Sequence, residues 1–315
     1  VIGGGGAGRR SKRGGDRLKA RLDIRGVVCP MVTPFDEGNR IDLASTRQVV
    51  DFLISKGVDC LMIGGTTGEG MQLSLSERRT LCETVVEHVA AQVPVIMHTG
   101  CISTAETIEM PRHAESVGAT AASIITPYFF TFDDDSLFGH FASVASAVPD
   151  FPMFLYAFPG NTKNDISPAL LRRLVDAAPN IVGIKSSNVD LIRLQGYIEA
   201  GGEEFLVFCG VDGLMLPALA VGAKAQVSGN SNVFPETFRA LYEAFVAGDL
   251  ERARSWQQVI NRIRAVFRDG ITPAYFKTGL RLRGIPAGRV RPPMRELTPE
   301  ESEEVERQFG TLEFN

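Results

Sequence analysis

"PMFLYAFPGNTKNDISPALLRRLVDAAPNIVGIKSSN", residues 152–188, contains one complete copy of the unit from which the fold is predicted. Its ends, PMFLYAF (152–158) and IVGIKSS (181–187), are short apolar runs with β-branched and aromatic residues, the texture of strands buried on both faces. Between them SPALLRRLVDAA (167–178) spaces its apolar residues for a helix. Ser167 stands at the N-cap and Pro168 at the first helical position. A strand, a helix and a strand on short connections read as parallel neighbours joined by a right-handed crossover.

The same alternation runs outward in both directions. Strand-like runs occur at GVVCPMVTPF (26–35), CLMIGG (60–65), VPVIMHTG (93–100) and AASIITP (121–127) before this unit, and at FLVFCG (205–210) and AQVSG (225–229) after it. Helical stretches such as LSERRTLCETVVEHVAAQ (75–92) fill the intervals. Eight strand–helix units predict an α/β protein, a closed (β/α)8 TIM barrel. An open doubly wound sheet is the alternative, but no G-x-G-x-x-G follows the first strand.

Beyond the eighth strand, PETFRALYEAFVAG, LERARSWQQVINRIRAVFRD and ITPAYFKTGLRLRGI supply more helices than closure needs, so a C-terminal helical extension is expected. TPEESEEVERQF (298–309) carries a capping box at Thr298 and Glu301. The domain reading is a flexible leader or expression remnant over 1–22, a barrel core over 23–233, and a closing helix with the extension over 234–315.

Composition narrows the function. With 33 Lys and Arg against 37 Asp and Glu, the net charge of −4 recommends neither nucleic acid nor an anionic membrane as partner. No apolar run reaches bilayer length, and the glycine-rich basic start lacks the h-region of a secretory signal. The five cysteines form no C-x-x-C pair, which fits a reducing cytoplasm. The four histidines have no metal-ligand spacing, so no metal is expected. "DDD" at 133–135 reads as the charged start of a helix, and RRSKR (9–13) as an isolated basic run.

In a barrel of this kind the chemistry lies at the C-terminal ends of the strands. Strand two ends in GGTTGEG (64–70), strand four in TPYFF (126–130), strand five in LYAFPGNT (155–162) and strand six in GIKSSN (183–188). Lys185 therefore reaches the functional rim, with no carboxylate beside it in sequence. Tyr156 lies one strand over, and Thr66 and Thr67 lie across the mouth. A neutral lysine amine attacks a ketone and forms a Schiff base, an electron sink for making or breaking a C–C bond. A nearby phenol can carry the protons. The glycine turn offers backbone N–H groups and hydroxyls to a carboxylate, while Glu69 is expected to hold that turn together. His98 ends strand three and is a candidate to face the mouth.

GGTTGEG, LYAFPGNT and VGIKSSN, in this order and at these strand ends, resemble the dihydrodipicolinate synthase / N-acetylneuraminate lyase family from about residue 24 to residue 300. The resemblance implies a pyruvate-dependent class I aldolase, dehydratase or synthase: a cytoplasmic homotetramer acting on a small 2-oxo acid, with no cofactor beyond the covalent lysine imine. It implies Lys185 as the Schiff-base lysine, Tyr156 as the proton-transfer phenol and Thr66 as a relay hydroxyl. Thr67, with Gly65 beside it, would bind the 2-oxo acid carboxylate. Two positions depart from the pattern. Phe129, after Tyr128, occupies the place of a tyrosine that reaches into a neighbouring subunit's site. Asn161 stands where the synthases keep an arginine for the distal carboxylate of aspartate semialdehyde. Asn161, Ser187, Asp212 and Lys163 together suit a hydroxylated substrate, a 2-keto-3-deoxy sugar acid. The alternatives are 4-hydroxy-tetrahydrodipicolinate synthase itself and a non-catalytic barrel that binds 2-oxo acids.

Overall fold

A computed structural model describes residues 22–312; the leader read over 1–22 lies, apart from Leu22, outside the described residues. Eight parallel strands close in sequence order, each hydrogen-bonded to the next and the last to the first. They are β1 (Gly26–Pro30), β2 (Cys60–Ile63), β3 (Val95–His98), β4 (Ala121–Ile125), β5 (Met153–Ala157), β6 (Ile181–Ser186), β7 (Leu206–Cys209) and β8 (Ala225–Val227). Helices follow them on the outside: α1 (Leu43–Ser55), α2 (Leu75–Val89), α3 (Thr104–Ser116), α4 (Asp134–Ala147), α5 (Pro168–Ala177), α6 (Leu191–Gly201), α7 (Met215–Ala220) and α8 (Pro235–Val246). The α/β barrel expected from the strand–helix alternation is what the chain forms. The strands are shorter than their apolar runs. The first ends at Pro30, and further along its run Phe35 makes isolated antiparallel bridges to Ile41 and Arg289.

Local signals sit where the sequence put them. Ser167 accepts from the Leu170 N–H at the start of α5, and Asp133 caps α4 by accepting from Ser136. Past the barrel come α9 (Leu250–Val266), α10 (Pro273–Leu282) and α11 (Pro299–Phe309), the last opened by the Thr298–Glu301 capping box.

Two packed layers position the site. Alternate strand residues, among them Val28, Met62, Ile96, Phe154, Val182 and Phe208, fill the barrel interior, and Leu22 and Ile24 join that cluster. The opposite faces pack against the helices. Inside, the Phe154 and Phe208 rings stack with centroids 4.9 Å apart. Gly183 makes room for this: a Cβ there would stand 2.4 Å from Phe154 and 2.5 Å from the Leu206 carbonyl oxygen. The glycine of the G-I-K run is thus a packing requirement two residues before the lysine.

Candidate active site

Tyr156 and Lys185 are register partners on β5 and β6, and Lys185 is in turn the partner of Phe208 on β7. The side chains are nearly enclosed, Lys185 at 6% exposure and Tyr156 at 2%. The lysine Nζ stands 4.0 Å from the centroid of the Tyr156 ring. Among the described residues no carboxylate lies within ion-pairing distance of this amine, so an aromatic face is its closest electrostatic partner. Phe158 stacks on Tyr156 at 5.9 Å, and the His98 ring meets it edge to face at 6.3 Å. Gly210, at the end of β7, keeps the space beside the amine open. A Cβ on it would lie 2.5 Å from Ser187 Oγ, 3.1 Å from the Ser186 carbonyl and 3.3 Å from Lys185 Cε.

The GGTTGEG turn leaves β2 at the same end of the barrel. It folds back so tightly that a Cβ on Gly70 would sit 1.7 Å from the Gly64 carbonyl oxygen, and the Gly70 N–H donates to Gly65 O. Gly64 (φ 66) and Glu69 (φ 56) both take the left-handed conformation, which Glu69 holds without a glycine's freedom. What holds it is its carboxylate. Oε1 accepts from Lys277 Nζ at 2.6 Å and Oε2 from the Arg291 backbone N–H at 2.8 Å, with the side chain fully enclosed. Glu69 is thus a structural acceptor. Thr66 is exposed and Thr67 half-buried, at the rim.

The remaining candidates separate. Ser187 continues β6, its N–H donating to Ala157 O, and is half-buried beside Gly210. Asn161 is exposed on a one-turn helix, Pro159–Thr162, just beyond Tyr156, and Lys163 caps that turn in a left-handed conformation. Phe129 projects at 74% exposure with φ 80, a costly backbone for a bulky residue. Asp212 departs from its expected substrate role. Its carboxylate already accepts from Gln226 Nε2 (2.9 Å), Ser228 Oγ (2.7 Å) and Asn230 Nδ2 (2.8 Å), and burial raises its pKa. The cause is its neighbour strand: the polar end of β8 lies within reach and takes up both oxygens. Lys185, Tyr156 and Ser187 are brought together, the threonine turn stands at the same barrel end, and Asp212 is committed to the rim's own structure.

Three further features were not read from the sequence. Arg78 on α2 is buried and donates to His98 Nδ1 at 2.9 Å and to the His98 and Gly100 carbonyls. A guanidinium only donates, so His98 Nδ1 carries the lone pair and Nε2 the proton. Burial, then the charges of Arg78 and Lys185, hold the His98 pKa well below the usual imidazole range. Helical spacing carried a signal for Arg78, which falls three and four residues before buried Leu81 and Cys82. Asn164 ties the loop after β4 to the one after β5. Lys277, the partner of Glu69, comes from α10.

Among the described residues, no group of three or more His, Cys, Asp or Glu is placed to hold a metal, and no helix is long and apolar enough to cross a membrane.

Comparison with known proteins places this geometry among relatives. A model of the dihydrodipicolinate synthetase family matches residues 23–311. The chain is 38% identical to a 4-hydroxy-tetrahydrodipicolinate synthase of Thermus thermophilus, covering 92% of this chain and 97% of that protein. The crystal structure of a dihydrodipicolinate synthase from Bacillus anthracis superposes with a TM-score of 0.89 at 34% identity, over 93% of this chain and 99% of that one. YagE of E. coli, a prophage protein of the dihydrodipicolinic acid synthase family solved in complex with pyruvate, gives a TM-score of 0.88 at 30% identity over 92% of this chain and 99% of its own.

Proposed function

The chain belongs to the dihydrodipicolinate synthetase family and is an enzyme of its lyase class, and from that premise we propose that it acts through a Schiff base on Lys185. The observation that carries this is the amine itself: an enclosed lysine with no carboxylate partner, 4.0 Å from the ring of a tyrosine. The neutral amine adds to the C2 ketone of pyruvate or another 2-oxo acid, and the carbonyl oxygen takes a proton. The resulting hydroxyl leaves as water with a second proton, giving a protonated imine. Loss of a proton from C3 gives the enamine, which attacks an aldehyde carbon; in reverse, the C3–C4 bond breaks and an aldehyde leaves. Water then frees Lys185. The imine is the electron sink, so the chemistry asks for no further cofactor. Tyr156 carries the protons, Thr66 extends the relay, and Thr67 with the backbone around Gly65 receives the carboxylate.

For the second half of the substrate we propose a 2-keto-3-deoxy sugar acid, met by Asn161, Ser187 and Lys163. Asn161 offers neutral hydrogen bonds where an arginine would grip a carboxylate. A lost charge-assisted bond is worth about 1.5–3 kcal/mol, roughly ten- to a hundredfold in affinity. The names of the synthase relatives favour a second reading, condensation of pyruvate with aspartate semialdehyde. Comparing kcat/KM for sugar acids, N-acetylneuraminate and aspartate semialdehyde side by side decides between them. A clear preference for aspartate semialdehyde overturns the sugar-acid reading. A non-catalytic binding barrel is excluded if the methyl protons of pyruvate exchange with deuterium. We further propose a cytoplasmic homotetramer whose sites each complete their own relay, since Phe129 cannot pass a proton. Activity that vanishes in step with dissociation on dilution would contradict that.

A further inference from the structure

Among the described residues two lysines are enclosed in this barrel, and they are satisfied in opposite ways. Lys185 has an aromatic face and no carboxylate. Lys277, in the middle of α10, has a carboxylate, a carbonyl and an aromatic face. Its Nζ donates to Glu69 Oε1 at 2.6 Å and to the Arg289 carbonyl at 2.5 Å, and it stands 4.6 Å from the centroid of the Phe35 ring. Arg291 faces the same ring at 4.3 Å and clamps Glu77 at the start of α2 through both of its terminal nitrogens. It also holds the Gln72 carbonyl. The chain after α10 is therefore tied to the stretch that follows the GGTTGEG turn, at Gln72 and Glu77. Within the turn itself, among the described residues, the side chain bonded to that C-terminal chain is that of Glu69.

The turn is braced by the Gly70 N–H on Gly65 O and by Thr33 Oγ1 donating to Gly68 O at 2.7 Å, yet one of its residues is strained. Glu69 keeps a left-handed backbone that its side chain disfavours, and the Glu69 N–H closes the turn on Thr66 O at 3.1 Å. The anchorage of this one carboxylate therefore helps to hold the strained residue, and with it the backbone beside the Thr66 and Thr67 amides. That carboxylate has two oxygens. One is held by Lys277 and the other by the Arg291 N–H, both belonging to the C-terminal segment.

We propose that Lys277 is a positioning residue for the carboxylate-receiving turn, acting through Glu69, so that the C-terminal helical segment is a working part of the site. The inference rests on the reading of Thr66 and Thr67 given above. It assigns Lys277 no contact with substrate. Its effect should be felt in the binding of the 2-oxo acid and hardly at all in the reactivity of Lys185 once that acid is bound.

Charge on Lys277 is what the anchorage depends on. Burial lowers its pKa to about 8, against the opposing pull of Glu69 and, more weakly, Glu296; Arg281 on its own helix adds to the lowering. Arg291 adds a further positive charge across the Phe35 ring. As pH rises through that value the ammonium becomes an amine and the bond to Glu69 loses its charge assistance. An arginine in its place keeps its charge throughout this range.

The test measures pyruvate half-saturation from borohydride trapping on Lys185 at about pH 7 and about pH 9, on either side of the Lys277 transition near 8. It uses the whole protein, Lys277→Arg, and the neutral pair Lys277→Met with Glu69→Gln, with Thr67→Val as the control for the turn itself. In the unmodified protein half-saturation should rise several-fold between the two pH values. The rise should be absent in Lys277→Arg. The neutral pair should need roughly tenfold more pyruvate at pH 7, the worth of one charge-assisted bond, with a trapping plateau close to that of the unmodified protein. If the neutral pair fails to fold, the pH response and its loss in Lys277→Arg still decide. A flat response in the unmodified protein, or an equal rise in Lys277→Arg, overturns the proposal. Weakened pyruvate binding in Thr67→Val with an unaffected neutral pair also overturns it while leaving the turn's role standing. Absence of any adduct overturns instead the Schiff-base reading on which it rests.

Discussion

Replacing Asn164 by alanine should loosen the loop that carries Phe129, at a cost that follows from the bonds removed. Asn164 is buried, and its Nδ2 donates to the Pro127 carbonyl at 2.8 Å and the Phe130 carbonyl at 2.7 Å, with Thr162 O a longer third acceptor at 3.2 Å. Its Oδ1 accepts from the Phe132 N–H at 2.8 Å. Two amide hydrogens and one carbonyl thus give three strong bonds that staple residues 127–132 to the end of β5. At about 1 kcal/mol net each, their loss comes to about 3 kcal/mol. Relaxation of Phe129 from its left-handed backbone returns about 1 kcal/mol, leaving a net loss of about 2 kcal/mol. Denaturant unfolding measures that difference, and hydrogen exchange at the Phe132 amide should accelerate alongside it. Phe129→Gly should stabilise the protein with Asn164 present and do little without it. A loss below about 0.5 kcal/mol, or an unchanged Phe132 exchange rate, would refute the assignment of Asn164 as the staple, because a surface substitution does as much.

Three further outcomes follow from the site and its surroundings. Tyr156→Phe should lower turnover by roughly a hundredfold or more while pyruvate still forms its adduct, and near-normal turnover would remove the phenol from the relay. Gly210→Ala should reduce adduct formation at least tenfold, since its methyl group meets Ser187 Oγ, the Ser186 carbonyl and Lys185 Cε; unchanged trapping would show the amine does not need that space. His140 is buried and its pKa is lowered to about 4, so between that value and about 6.5 the unfolded chain binds a proton that the folded chain does not. Its stabilisation, on the order of 3 kcal/mol, is present above about pH 6.5 and is lost as pH falls toward 4. The slope of stability against pH over that interval should shrink in His140→Gln, and an unchanged slope would exclude this histidine as its source.

What the sequence shows of this molecule follows the range of the forces involved. Strands and helices are set by patterns within a few residues, and the IVGIK run is recognisable because both faces of a parallel strand are buried. Lys185 is legible for the same reason: an unpaired lysine at the end of an apolar strand has few structural explanations. Lys277 looks similar within ITPAYFKTGL, yet its partner Glu69 lies 208 residues away in sequence, a distance no local pattern spans. Asp212 shows the converse. A carboxylate at a strand end suggests a ligand, but its three donors sit on the neighbouring strand and the turn after it, and only the closed barrel brings them to it. Gly210 is silent in sequence because its role is the space it leaves beside a side chain on another strand.

The account turns on which lysine reacts, and both enclosed lysines can be questioned in one measurement. The protein is incubated with pyruvate, reduced with borohydride, digested, and its peptides are weighed. The account predicts one reduced pyruvyl group on the peptide containing GIKSSN, none on the peptide containing AYFKTGL, and no adduct in Lys185→Ala. An adduct that persists in Lys185→Ala, or no adduct in the unmodified protein at saturating pyruvate, would contradict it.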